Sequence, residues 1–175
     1  KVITTGGGGM IITDDANLAA KAKHLTTTAK VPHPYEFVHD EIGYNYRLPN
    51  LNAALGCAQM ERLPEMLAVK ADVAGRYADF FESIGVAFIG APAGTTANHW
   101  LNAILLNSLA ERDAFLEFTN SRGVMGRPIW RLMTRLSMFE HCQHDGLVNS
   151  QWLEDRVVNI PSSVPDGALP AFTSK

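Results

Sequence analysis

Gly43-Tyr44-Asn45-Tyr46-Arg47-Leu48-Pro49-Asn50-Leu51-Asn52-Ala53-Ala54-Leu55-Gly56-Cys57-Ala58-Gln59-Met60 is the stretch from which the rest of this 175-residue chain can be read. Pro49 or Asn50 opens a helix, because proline has its φ preset for the first helical turn and needs no donor there. Ala53, Ala54, Gly56 and Ala58 then make one face small enough for another backbone to approach closely. Just upstream, Asn45 and Arg47 stand two residues apart, which places both on one side of an extended segment. An amide beside a guanidinium suits a phosphate or a carboxylate. A solvated arginine next to a turn asparagine gives the same spacing, so the pattern alone leaves both readings open.

Working outward towards the first residue, Lys1-Val2-Ile3-Thr4-Thr5 leads into four consecutive glycines, Gly6 to Gly9. Ordering four glycines costs backbone entropy, so they belong where a chain turns sharply or lets another group come close. A lysine amine held beside such a turn is a candidate Schiff-base nucleophile, since partial desolvation favours its unprotonated form. A solvated chain end is the plainer reading of Lys1. Val2-Ile3-Thr4 and Met10-Ile11-Ile12-Thr13 have the composition of short strands. Asp14 or Asp15 caps a helix carrying Leu18, Ala22 and Leu25 on one face, with Lys21, Lys23 and His24 towards its C-terminal end. From Thr26 to Glu41 the pattern breaks up around Pro32 and Pro34, and this aromatic, histidine-rich segment is expected to be a functional or interfacial loop.

The composition is that of an ordinary globular protein, with 46% hydrophobic and 19% charged residues. A net charge of -3 offers no basic field for nucleic acid and no polybasic strip for a membrane surface. No apolar run approaches the ~20 residues of a membrane span and the first residues are not a secretory signal, so a cytoplasmic location is expected. Cys57 and Cys142 have no paired spacing and read as reduced thiols. His141, Cys142 and His144 lack a fourth ligand at suitable spacing, and no metal site is expected.

Downstream, Pro64 is expected to restart the long helix, whose stripe of Met66 or Leu67, Lys70, Val73, Tyr77, Phe80 or Phe81, and Ile84 runs as far as Gly85. Val86–Ile89, Trp100–Leu106, Val124–Trp130 and Arg156–Ile160 read as strands of a second sheet. Ser108 with Glu111 forms a capping box for a helix running to Arg122 and closed by Gly123. The division expected is residues 1–48 in a first domain, 49–84 as connecting long helices, 85–164 as a small C-terminal α/β sandwich, and 165–175 as a loose tail.

The strings KVITTGGGGM, HDEIGYNYRLPNLNAALGCAQ and GRPIWRL, in this order and separation, resemble the DegT/DnrJ/StrS family of pyridoxal-phosphate sugar aminotransferases, and among them the LegC-type branch. The similarity runs from residue 1 to about 164. It implies an α/β fold, the C-terminal half of a fold-type I aminotransferase, with part of the large domain followed by the small domain. It also implies a function. An amino group, from glutamate, would pass to C4 of a nucleotide-linked 4-keto-6-deoxy sugar in surface-polysaccharide biosynthesis. By the same resemblance Lys1 is the catalytic residue that carries pyridoxal 5'-phosphate as a Schiff base, and Asn45 binds the cofactor phosphate across a homodimer interface. His39, Tyr44, Arg47 and Trp130 are implied as substrate-binding residues. Trp130 can stack on a base or sugar face, or serve as a buried aromatic at a domain contact.

Two departures accompany the resemblance. Related sequences have a histidine where Thr134 stands, which removes one substrate contact from the carry-over. The family's aspartate for the pyridine nitrogen, its ring-stacking aromatic and most of its phosphate cup precede the lysine, and this sequence starts at Lys1 with no methionine. The expectation is therefore a C-terminal half cut from something longer and inactive by itself. The alternative is a truncated, non-catalytic remnant that acts as a dimerisation or binding module.

Overall fold

The structure, a computed structural model, describes residues 1–169, so residues 170–175 of the expected tail lie outside the described residues. The chain divides into two compact units, one made of Lys1 and Ile3–Leu63, the other of Val2 and the residues from Pro64 onward.

The first unit holds α1 (Ala16–Thr26), the two-residue strands β1 (Lys30–Val31) and β2 (Val38–His39), and the start of α2 (Asn50–Ser83). Asp15 caps α1 as expected, its Oδ1 accepting from the N–H groups of Asn17 (2.8 Å) and Leu18 (3.1 Å). The strands expected at Val2–Thr4 and Met10–Thr13 do not form. A strand requires a neighbour to receive its ladder, and none of the described residues pairs with either segment. Met10, Ile11 and Ile12 stand exposed instead. Within the stretch read as irregular, β1 and β2 pair antiparallel, with Lys30 opposite His39 and Val31 opposite Val38.

The second unit is a four-stranded antiparallel sheet in the order β3 (Ala87–Phe88), β4 (Asn102–Leu105), β6 (Val157–Ile160), β5 (Arg127–Pro128). The rest of α2, α3 (Leu109–Asn120) and α4 (Val148–Glu154) complete it. Ile104, Leu106, Val158 and Ile160 of the sheet layer are buried with Phe81 of α2 to form the core, and Tyr77, Phe115 and Leu116 pack against it. The four strands fall inside the four expected segments. The edge strand is the shortest relative to expectation because Pro128 has no N–H to give the ladder, and edge strands are where proline is tolerated.

Ser108 caps α3, with its Oγ accepting from the Glu111 N–H at 3.2 Å. The Glu111 carboxylate reaches back one residue further than a capping box requires, to the N–H of Asn107 at 2.8 Å. Pro64 does not interrupt α2, which runs unbroken from Asn50 to Ser83 and ends before Gly85 at φ 74°. One missing intrahelical hydrogen bond is offset by the packing of the apolar residues beyond it, Tyr77 and Phe81. No helix among the described residues is long and apolar enough to cross a membrane.

Lys70 was counted in the apolar stripe of α2, and it is buried. Its amine donates to the carbonyl oxygen of Ser162. Burial lowers its pKa below the ordinary lysine value of 10.5. With the folded pKa below the unfolded one, the unfolded chain binds more protons between the two, so stability rises with pH across that window. Urea unfolding at about pH 7 and about pH 10 should show this gain, and Lys70→Met should flatten it. An equal pH slope in the two proteins would remove Lys70 as its source.

Candidate functional site

Three features of the first unit meet around the segment from Gly43 to Asn52. The turn after α1 comes first. Thr28 (φ 75°) and Ala29 (φ 49°) occupy the left-handed region, which costs these residues about 1–3 kcal/mol each and persists only where the surroundings hold it. What holds it is a set of backbone hydrogen bonds. Tyr44 N–H donates to Leu25 O (2.7 Å), Thr28 N–H to Tyr44 O (3.0 Å), and Tyr46 N–H to Thr26 O (2.9 Å). His39 Nδ1 lies 2.7 Å from Thr28 O, which ties β2 to the same turn.

This close approach is possible because residue 43 is glycine. A Cβ there would stand 2.5 Å from Ala29 N and 2.5 Å from Thr28 C, both backbone atoms that cannot swing aside. Gly43→Ala is therefore expected to destabilise the first unit by about 1–3 kcal/mol in thermal unfolding. Gly7→Ala, where nothing lies within 4 Å, should cost far less. Equal effects of the two would contradict the packing described here.

The second feature is the Asn45–Arg47 pair. Arg47 Nη1 donates to Asn45 Oδ1 at 3.0 Å, and Nη2 donates to Thr27 O at 3.1 Å. The extended spacing thus brings the two side chains together. Because Asn45 Oδ1 accepts from arginine, its Nδ2 is the end of the amide turned to donate elsewhere. Tyr44 and Tyr46 stack at 5.2 Å alongside.

Third, the glycine run packs on the first turns of α2 through the small face. Gly56 carries Thr5, whose Cγ2 would stand 3.0 Å from a Cβ at that position. Asn52 Nδ2 donates to Thr5 O, and Thr4 N–H donates to Gln59 Oε1 at 3.2 Å. Between this run and Arg47 lies a cavity of about 690 Å³, lined among others by Gly7, Gly8, Gly9, Tyr46, Arg47 and Asn52. Backbone N–H groups of glycines, a guanidinium and an amide form a donor set suited to an anionic, phosphate-bearing group.

Of the residues singled out from the sequence, Arg47 lines this cavity, Asn45 is bonded to it, and Tyr44 and His39 hold the turn beside it. Lys1 is exposed and belongs to the same unit. Trp130 belongs to the second unit and is 69% exposed, so it is not a buried aromatic. Sequence reasoning missed Asn52, which touches the glycine run, although it stands one helical turn before Gly56. His24 Nε2 lies 2.6 Å from Asp40 Oδ1 and 3.7 Å from a Glu41 oxygen, and the hydrogen bond from His24 lowers the pKa of Asp40. Lys21 pairs with Glu41 in the same cluster, which fastens α1 to the loop after β2.

Residues 1–165 match the model of the DegT/DnrJ/EryC1/StrS aminotransferase family. The chain is 30% identical over 165 residues to the GDP-perosamine synthase of Vibrio cholerae, covering 93% of this chain and 45% of that protein. It is 33% identical over 142 residues to EpsN of Bacillus subtilis, assigned as a pyridoxal phosphate-dependent aminotransferase, covering 80% of this chain and 36% of that protein. In fold it is similar to the aminotransferase TlmJ from Streptoalloteichus hindustanus, with a TM-score of 0.85 at 23% identity over 96% of this chain and 46% of that one. The chain spans under half the length of the relatives it matches. Pyridoxal phosphate is the cofactor of these aminotransferases.

Proposed function

The chain belongs to the DegT/DnrJ/EryC1/StrS aminotransferase family, with the fold of the C-terminal part of a fold-type I pyridoxal-phosphate enzyme, and from that premise we propose that Lys1 is its cofactor-bearing residue. The reaction is transfer of an amino group from glutamate to C4 of a nucleotide-linked 4-keto-6-deoxy sugar, of the UDP-N-acetylhexosamine kind. It takes place in a cytoplasmic homodimer. The observation that carries this reading is the cavity bounded by the glycine run and Arg47, in the same unit as Lys1.

When bound, the cofactor supplies an aldehyde that accepts amines and a ring that draws electrons from the reacting carbon. Lys1 Nζ would hold that aldehyde and, as a free amine, would move the proton at the reacting carbon as base and then as acid. Asn45, its amide oriented by Arg47, would hold the cofactor phosphate of a twofold-related copy through Nδ2. The Arg47 guanidinium has further donors for a substrate anion beyond the two it spends on Asn45 and Thr27. Tyr44 and His39, which hold the turn beside that cavity, are the sugar contacts of this reading.

The test is isotopic. The complete enzyme that contains this chain is incubated with pyridoxal phosphate, 15N-labelled glutamate and a UDP- or GDP-linked 4-keto-6-deoxy sugar, and the product is read by NMR. Label at C4 is the expected result. An unchanged sugar, with dimerisation intact in sedimentation, would favour the second reading, a non-catalytic dimerisation or binding module. The exposed Ile12, Phe37, Ile42 and Leu51 of the first unit are the observation on that side.

A further inference from the structure

Asp40 and Glu41, which precede the Gly43 crossing, lie against the last turns of α1. His24 Nε2 is 2.6 Å from Asp40 Oδ1, and the hydrogen bond between them holds the Asp40 carboxyl below the ordinary carboxylate value. Lys21 and His24 stand three residues apart, so one face of the helix offers both. Lys21 pairs with Glu41. Glu41 does not replace Asp40 in this arrangement, because its carboxylate is engaged by Lys21 and lies 3.7 Å from the His24 ring nitrogen. The backbone follows the side chains, with the Asp40 N–H donating to Ala29 O at 3.3 Å.

The far end of the same segment is bound to the same helix by different means. Leu25 O and Thr26 O accept from the N–H groups of Tyr44 and Tyr46, Thr27 and Asn45 form an antiparallel bridge, and Arg47 Nη2 donates to Thr27 O. These carbonyls belong to the C-terminal turn of α1 and its cap, where intrahelical donors run out and a cation is favoured. The orientation of the Asn45 amide depends on that anchorage. The guanidinium that bonds Asn45 Oδ1 is itself held at Thr27 O. Ile42, Tyr44 and Tyr46 are exposed on the segment, so its position is set from the side of α1 and the turn that follows it.

We infer that His24 and Asp40 are positioning residues for the proposed phosphate contact: their pair fixes the segment from Asp40 to Arg47 on α1, so that the amide of Asn45 is presented in one orientation. They act through the segment. With the pair broken, the segment keeps its bonds to the helix end, but its leading part is released and the amide spends part of its time turned away. The inference rests on the reading of Asn45 given above and is independent of which residue carries the cofactor.

The experiment is titration of the complete apoenzyme that contains this chain with pyridoxal phosphate, followed by absorbance. Asp40→Ala and His24→Ala should each weaken binding about two- to fivefold, the range of an exposed ion pair, and the double variant should be no weaker than either single one. In an Asn45→Ala background, Asp40→Ala should change nothing further, which a general loss of stability would not reproduce. Hydrogen exchange without cofactor gives a second readout. The amides of Tyr44 and Tyr46 should exchange faster in Asp40→Ala, while those of β4 and β6 exchange as in the unaltered enzyme. Unaltered affinity in both single variants, or an equal loss from Asp40→Ala once Asn45 is alanine, would overturn the positioning role. If Asn45→Ala itself leaves the affinity unchanged, the phosphate assignment fails and the positioning role falls with it. If Asn45→Ala weakens binding and Asp40→Ala does not, the positioning role alone fails.

Discussion

Lys1→Ala is expected to abolish covalent attachment of pyridoxal phosphate and, in the assembled enzyme, to lower the rate of amino transfer by at least about 10²–10⁴-fold, the usual worth of a positioned acid-base group. The loss should fall on the turnover step. Removing Nζ takes away the group that moves the proton, whereas the proposed phosphate and substrate contacts, Asn45 and Arg47, keep their bond to each other. The apparent affinity for the sugar should therefore change little. Wild-type turnover in Lys1→Ala would leave the side-chain amine without a role.

The second large effect is structural. Ile104 is fully buried in β4, paired in register with Phe88 on one side and Val158 on the other. Ile104→Ala removes side-chain volume from the centre of the core shared by Phe81, Leu106 and Ile160, and should cost the second unit about 2–5 kcal/mol. The spread depends on how far Phe81 and Leu106 can close the space. Val148→Ala, at a position 77% exposed, is the control and should stay within about 0.5 kcal/mol of wild type. Denaturant unfolding followed by circular dichroism compares them. A core variant no less stable than the surface one would contradict the placement of the core.

What could be read from the sequence follows the strength of the local signal. The caps at Asp15 and Ser108 are set by side chains bonding to nearby backbone, the start of α2 by the preset φ of Pro49, and all three form. β4 and β6 lie in apolar segments that find each other across the sheet. Val2–Thr4 and Met10–Thr13 have the same composition and stay unpaired, because a strand is decided by a partner that local sequence does not supply. The β1–β2 pair was hidden for the opposite reason, since two residues per strand give no alternation to detect.

The site shows the same division. Spacing foretold that Asn45 and Arg47 would share a side, and they share a hydrogen bond. The small face of α2 foretold a close backbone approach, and Thr5 makes it at Gly56. Nothing in the residues foretold that Gly43 must clear the backbone of Ala29, because that clash exists only once α1 has turned back on the segment. Lys70 was legible as a stripe position but not as a buried amine, since its partner is a backbone carbonyl that any residue could provide.

The most direct measurement is borohydride reduction of the complete enzyme mixed with pyridoxal phosphate, followed by proteolysis and mass spectrometry of the peptide that carries Lys1. A reduced cofactor found on the side-chain nitrogen of Lys1, and absent from Lys21, Lys23, Lys30 and Lys70, is the predicted result. Label spread over several lysines, or absent from Lys1, would contradict it.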